Sequence, residues 1–184
     1  MPRLLPLLLM IATLATAAPA LFRLEPERSV VEFVYTLGQN TSSGRIPIRS
    51  ADLLIDLDRL AASRIEVVLD ARGARAGFFL ATDAIRGPGI LDAAHHPEIR
   101  FRSTDIRGTP RAATVAGELT MRGVTRPITL EARLYRQPDT DIHDRNNLTV
   151  LLTGSLSRAA FGATGYADLV GDRVDIRIIA YITR

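Results

Sequence analysis

Three histidines are the first side chains to test for chemistry, because histidine is the commonest general base and metal ligand near neutral pH. In this chain of 184 residues they are His95, His96 and His143. His95 and His96 are adjacent and precede Pro97, which biases His96 toward extended backbone. Neighbours in an extended segment point to opposite sides, so the two make a poor chelating pair. His143 falls in the polar loop Gln137-Pro138-Asp139-Thr140-Asp141-Ile142-His143-Asp144. Asp83 and Asp92 flank Gly87-Pro88-Gly89 and suit helix capping or loop anchoring better than acid/base work. Gly154-Ser155-Leu156-Ser157-Arg158 lacks the second glycine of a nucleophile elbow. Gly162-Ala163-Thr164-Gly165 falls short of a phosphate loop. There is no cysteine, which removes thiol catalysis, thiolate metal sites and disulfides. The residues assign no catalytic group, no metal site and no cofactor, and the chain reads as a binding protein rather than an enzyme.

Charge excludes another class. Every basic side chain other than histidine is arginine, and the formal net charge is only +3. Arginines and acids alternate, as in Asp172-Arg173-Val174-Asp175, with no basic stripe carrying interleaved aromatics, so nucleic acid is not a partner. The N-terminus has a different character. Met1-Pro2-Arg3, an apolar run from Leu4 to Leu14, and the small-residue sites Ala15-Thr16-Ala17 and Ala18-Pro19-Ala20 have the layout of a secretory signal peptide over residues 1–20. The apolar run is too short for a membrane span, which needs about 20 residues. The domain then occupies 21–184 and is expected in an exported, periplasmic setting.

The elements that must position any site are strands. Apolar and polar residues alternate with period two, the mark of a sheet with one buried face. Ile65, Val67 and Leu69 alternate with Arg64, Glu66 and Asp70; Ile128, Leu130, Ala132 and Leu134 with Thr129, Glu131 and Arg133; Val174, Ile176 and Ile178 with Arg173, Asp175 and Arg177. Similar patterns surround Ile99 and Leu119, and further runs lie near 22–36, 43–56 and 147–157. Turn chemistry at Arg107-Gly108-Thr109-Pro110 and at Arg122–Pro127 separates neighbouring runs. Phe78, Phe79, Ala81, Ala84 and Ile85 predict one short helix over about 77–86, ended by Gly87-Pro88-Gly89. About eight antiparallel strands and one helix make a mainly β domain, a closed barrel or a sandwich. An eight-stranded barrel is just wide enough to be filled by side chains or to hold one ligand.

Specific motifs go further. Gly117-Glu118-Leu119-Thr120-Met121-Arg122-Gly123-Val124-Thr125-Arg126-Pro127-Ile128-Thr129-Leu130 resembles the G-x-L-T-h-x-G-V-T-[KR]-P-h-x-L signature (h apolar) of the YceI-like family of lipocalin-like, polyisoprenoid-binding periplasmic proteins. Pro97-Glu98-Ile99-Arg100-Phe101-Arg102-Ser103 resembles the family's P-x-h-x-F-x-S element, and Arg158-Ala159-Ala160-Phe161-Gly162 its R-x-x-F-G element. The resemblance spans Phe22 to Arg184. It implies an eight-stranded antiparallel lipocalin-like barrel enclosing a long apolar lipid, a polyisoprenoid or isoprenoid quinone. It also implies a carrier in transient contact with the inner-membrane surface or a membrane protein. The family's Arg-Asp pair and histidine on the short helix are replaced here by Ala81-Thr82-Asp83-Ala84-Ile85. Alternation then supplies the lining: Val31, Phe33, Tyr35, Ile46, Ile48, Val67, Leu69, Ile99, Phe101, Leu119, Met121, Ile128, Leu130, Val174, Ile176 and Ile178. Tyr35, Arg126 and Arg158 are candidates for the mouth, the arginines because a guanidinium can grip a phosphate headgroup with two hydrogen bonds. The competing expectation is a barrel filled by its own side chains, an interaction module for an envelope redox or stress-response protein. An open cavity separates the two.

Overall fold

The computed structural model of this chain describes residues 19–184, so the leader expected over 1–20 lies outside the described residues except for Pro19 and Ala20. Eleven strands and one helix follow in order: β1 (Ala20–Leu24), β2 (Val30–Leu37), β3 (Asn40–Arg45), β4 (Ile48–Ile55), β5 (Arg64–Asp70), β6 (Arg75–Ala76), α1 (Phe79–Arg86), β7 (Glu98–Thr109), β8 (Ala112–Met121), β9 (Val124–Arg136), β10 (Asn147–Ser157) and β11 (Val170–Thr183). All strand pairings are antiparallel.

The ring β1-β4-β5-β7-β8-β9-β10-β11 closes on itself where β11 returns to β1 through Arg23↔Thr183 and Leu24↔Ile182. This is the expected eight-stranded barrel. The three additional strands are continuations. β2 prolongs β1 after Glu25–Ser29, β3 runs into β4 across Ile46-Pro47, and β6 follows β5 after a short 3-10 turn. Across the first break the ladder stays satisfied, because the Glu25 N–H donates to the Tyr181 carbonyl (2.8 Å) and the Tyr181 N–H to Ser29 Oγ (3.0 Å).

Turn residues set the register. β8 and β9 are joined by Arg122-Gly123 alone, both with positive φ (54° and 75°), as a two-residue type I′ hairpin requires. The turn is therefore tighter than the six-residue divider expected at 122–127, and β9 runs through Pro127. Counting from the hairpin, Pro127 opposite Glu118 falls at a non-hydrogen-bonded pair, and β10 pairs with β9 no further than Leu130. The N–H that proline lacks would have had no ladder partner.

The two ends of the barrel differ. At one end Phe22, Leu53, Ile55, Leu148 and Ile182 pack into a buried cluster. Gln137, also buried, donates there to the carbonyls of Leu148 (3.3 Å) and Ile182 (3.5 Å). Asp56, only 2% exposed, follows β4 at this end. Its Oδ1 accepts from the N–H groups of Asp58 (3.0 Å) and Arg59 (2.9 Å), while Ser63 Oγ accepts its own N–H (2.9 Å). Burial pushes the Asp56 carboxyl up, but these N–H groups and the Arg59 guanidinium outweigh it and hold it below the usual carboxylate range. At the opposite end lie α1, the turn at Gly38 and the segment 162–169.

A carboxyl depressed on folding adds stability above its unfolded pKa, about 3.9, and loses it as pH falls through the lower folded value. Asp56→Asn should therefore lower Tm at neutral pH, and the gap from wild type should narrow as the pH falls below the ordinary carboxylate value of about 3.9. Thermal melts of both proteins across that range check this; a gap that is constant with pH contradicts the assigned role.

Candidate functional site

Inward positions of the barrel belong mostly to valine, isoleucine, leucine and alanine. The whole chain contains six phenylalanines, four tyrosines and no tryptophan. Side chains of this size cover the inner wall of an eight-stranded barrel without meeting across its axis. The result is a cavity of about 1130 Å³ that follows the barrel from Leu60 and Ser63 at the packed end to Tyr166 and Leu169 at the other. Hollowness is also written in the accessibility of the wall. Val67, Leu152, Val174, Ile176 and Ile178 face inward yet are only half-buried.

All sixteen positions inferred from alternation stand on this wall. Alternation missed others. Val150, Leu152 and Leu156 of β10 line it too, but Leu148 to Leu152 is apolar on both faces apart from Thr149, so the run carries no readable phase. Phe78, Leu80, Tyr166 and Leu169 also contribute, from the helix and a loop where period two does not apply. Their signal was only that they are large apolar residues beside turn sequences.

The opening is marked by exposure. Phe78, Phe79, Leu80, Tyr166 and Leu169 are between 52% and 74% exposed, and all but Phe79 are also on the cavity wall. At the packed end the wall residues Leu53, Ile55, Leu60, Ser63 and Ile182 are buried. The cavity is thus a blind tunnel with an apolar mouth.

The mouth is held by two glycine-bearing segments and two arginines. The Gly165 N–H donates to the Gly89 carbonyl (2.9 Å), and a Cβ on Gly165 would lie 2.8 Å from Gly89 Cα. That close approach explains Gly87-Pro88-Gly89 opposite Gly162-Ala163-Thr164-Gly165. Arg122, placed by the left-handed hairpin, donates through Nη1 to the carbonyls of Pro88 (2.6 Å) and Ile90 (3.0 Å). On α1, Thr82 Oγ1 accepts the Ala76 N–H (3.0 Å), and Arg86 Nε donates to the Ala74 carbonyl (2.7 Å), fastening the helix to β6.

The two arginines expected near a headgroup part company. Arg126 is exposed, is not on the tunnel wall, and donates to the Ala160 carbonyl (3.3 Å). Arg158 is on the wall and only 6% exposed. Its guanidinium donates to the carbonyls of Gly171 (3.0 Å), Ala163 (2.5 Å), Gly165 (2.8 Å) and Val170 (2.8 Å). Four of its five N–H groups are used on backbone, so it folds the segment 163–171 around itself and keeps one donor in reserve. The Ala159 N–H and the Ser157 hydroxyl beside Asp172 hold that carboxyl low, and the nearby Arg158 charge adds to the effect. Among the described residues, no group of three or more His, Cys, Asp or Glu converges to hold a metal. His95 and His96 do not act together: His95 Nδ1 lies 2.9 Å from Asp92 Oδ1, while His96 packs against Gly123.

A family model described as the YceI-like domain matches residues 22–181. Among curated relatives, a UPF0312 protein of Yersinia pestis (strain Pestoides F) is 28% identical over 124 residues, covering 67% of this chain and 65% of the relative. A UPF0312 protein of Pseudomonas aeruginosa (strain LESB58) is 26% identical over 116 residues, covering 62% and 61%. The matches therefore span somewhat under two thirds of these relatives' length. Among solved structures, BcnA of Burkholderia cenocepacia superposes with a TM-score of 0.76 at 20% identity, covering 86% of this chain and 98% of that one. A polyisoprenoid binding domain from Saccharophagus degradans, implicated in plant cell wall breakdown, gives 0.63 at 13% identity, covering 88% and 97%. At such identities the superpositions speak for the fold.

Arg158→Lys tests the arginine's structural part. A lysine cannot reach four carbonyls from one plane, and each lost hydrogen bond to a charged group costs about 1.5–3 kcal/mol. The variant should lower Tm and speed amide exchange in 163–171 while the rest of the barrel keeps its protection. Unchanged exchange in that segment contradicts the role.

Proposed function

The chain belongs to the YceI-like family, and from that premise we propose that it is a binding and carrier protein that encloses the hydrocarbon tail of one long lipid, of the polyisoprenoid or isoprenoid-quinone type, rather than an enzyme. The observation that carries the reading is the open, apolar, blind tunnel. At about 1130 Å³ it exceeds the roughly 300–1,000 Å³ of ordinary small-ligand pockets. Its wall offers hydrocarbon almost everywhere and few polar groups to orient a compact, functionalised substrate. The polyisoprenoid binding domain among its structural neighbours supports the same class of guest. A barrel filled by its own side chains, the competing expectation, would have no such volume.

Energetics fix what such a tunnel can do. Burying about forty carbons from water at about 0.8 kcal/mol each gives roughly 30 kcal/mol, beyond the roughly 18–21 kcal/mol at which affinities saturate. Ordering the chain offsets part of this. The guest, however, comes from a membrane, one apolar phase traded for another, and the net hydrophobic gain is near zero. Loading and unloading are then both accessible, which suits a carrier.

We also propose export to the periplasm under the N-terminal leader. The cut proposed here lies three residues before the boundary at 20 expected from the sequence: cutting after Ala17 leaves β1 whole, whereas cutting after Ala20 removes the partner of Ile55. N-terminal sequencing of the mature protein should find Ala18 first; a start at Leu21 contradicts this choice.

Organic extraction and mass spectrometry of protein purified from its native envelope should return one long-chain lipid per chain. Ile176→Trp, which places a large ring into the hollow from a half-buried wall position, should reduce lipid content several-fold or select shorter chains, with Tm held or raised. Reproducible absence of lipid from the wild type overturns the proposal.

A further inference from the structure

The mouth exposes more apolar surface than a tunnel needs. Phe79 illustrates this: it is 74% exposed and lines nothing. It sits between two tunnel residues, Phe78 and Leu80, and across from Tyr166 and Leu169. No residue of α1 is fully buried; Ile85 packs against the barrel core, but Phe79 and Leu80 at the start of the helix are left 74% and 71% exposed. Large apolar side chains held out in water around an opening call for a covering phase.

We propose that this lip is a membrane-docking surface: Phe78, Phe79, Leu80, Tyr166 and Leu169 enter the interface of a lipid bilayer, with α1 lying along it, and the tunnel then opens directly into the bilayer. The proposal rests on the lipid-carrier reading and names the partner of the same tunnel. Two observations single out a bilayer. First, the lip is continuous with the tunnel wall, so a hydrocarbon chain would cross from bilayer to barrel without meeting water. Second, five side chains are far too few for a stable protein partner or a second copy, which needs about 800 Å² and roughly 20–30 residues on each side. Aromatic and leucine side chains on one edge of a short helix are what an interfacial helix buries.

The absence of tryptophan makes the test direct. Phe79→Trp, stripped of lipid, is mixed with vesicles of equal parts phosphatidylcholine and phosphatidylglycerol. Its emission should shift to the blue and be quenched by brominated acyl chains. Ile142→Trp, equally exposed but on the loop at the packed end, should show neither. Phe79→Asp should weaken vesicle co-sedimentation at least roughly tenfold. It should slow uptake of a C40 polyprenol from those vesicles, while the amount of polyprenol loaded from detergent stays that of wild type. An unshifted Phe79→Trp, or Phe79→Asp co-sedimenting like wild type, overturns the docking surface. So does sedimentation showing that Phe79→Asp splits a dimer that never bound vesicles, which assigns the lip to a second copy. The emission readout uses the empty protein: a shift with no polyprenol ever loaded would uphold docking and sink the carrier reading instead.

Discussion

Bending an antiparallel sheet into a closed ring satisfies the ladder hydrogen bonds of every strand and abolishes sheet edges, but it also creates an interior whose size is set by strand number rather than by the side chains available to fill it. Everything else about this molecule follows from how that interior is treated. Its inward positions carry aliphatic residues of moderate size and few rings, so the wall is dry and complete while the axis remains open. A protein pays for unfilled volume in lost dispersion contacts. Here the loss is confined to a central channel, and stability is concentrated elsewhere: in the ladders, in the cluster of Phe22, Leu53, Ile55, Leu148 and Ile182, and in the hydrogen-bonded turn built around Asp56.

The asymmetry between the two ends is the second consequence. One end is sealed by packing, and there the polar groups are buried and satisfied. The other is assembled from a helix without a fully buried residue, with Ile85 packed on the core, and from two loops anchored by buried residues such as Leu91 and Ala163. These pieces are positioned by arginines acting on backbone carbonyls. Arg158 gathers the carbonyls of Ala163, Gly165, Val170 and Gly171, and Arg122 gathers those of Pro88 and Ile90. A guanidinium suits this task because its planar fork reaches several acceptors at once and cannot deprotonate. Polar scaffolding shapes the mouth and leaves its apolar side chains free to face outward.

Much of this was legible in the sequence. Alternation, unbroken in β9 from Ile128 to Leu134 and interrupted by Val68 in β5 and by Ile179 in β11, assigned residues to faces, because side chains along a strand have a period of two. It broke down where that physics does not apply. In β10 consecutive apolar residues erase the phase, and at the mouth the helix and loops follow other periods. Turn chemistry at Arg122–Pro127 predicts a six-residue divider, whereas the hairpin is Arg122-Gly123 alone and the strand runs on through Pro127. Only the register shows that its missing N–H would have had no partner.

Residue order alone determined the mainly β class, the near count of strands, the short helix and the apolar inward face. These are local properties, fixed by periodicity and turn chemistry within a few residues. Tertiary structure decided what depends on distance across the chain. It left the barrel hollow, because volume is a property of closure. It committed Arg158 to four carbonyls while turning Arg126 outward, because hydrogen bonds are chosen by proximity. It also exposed Phe78, Phe79 and Leu80, since a helix buries its apolar side only where a partner surface is brought to it.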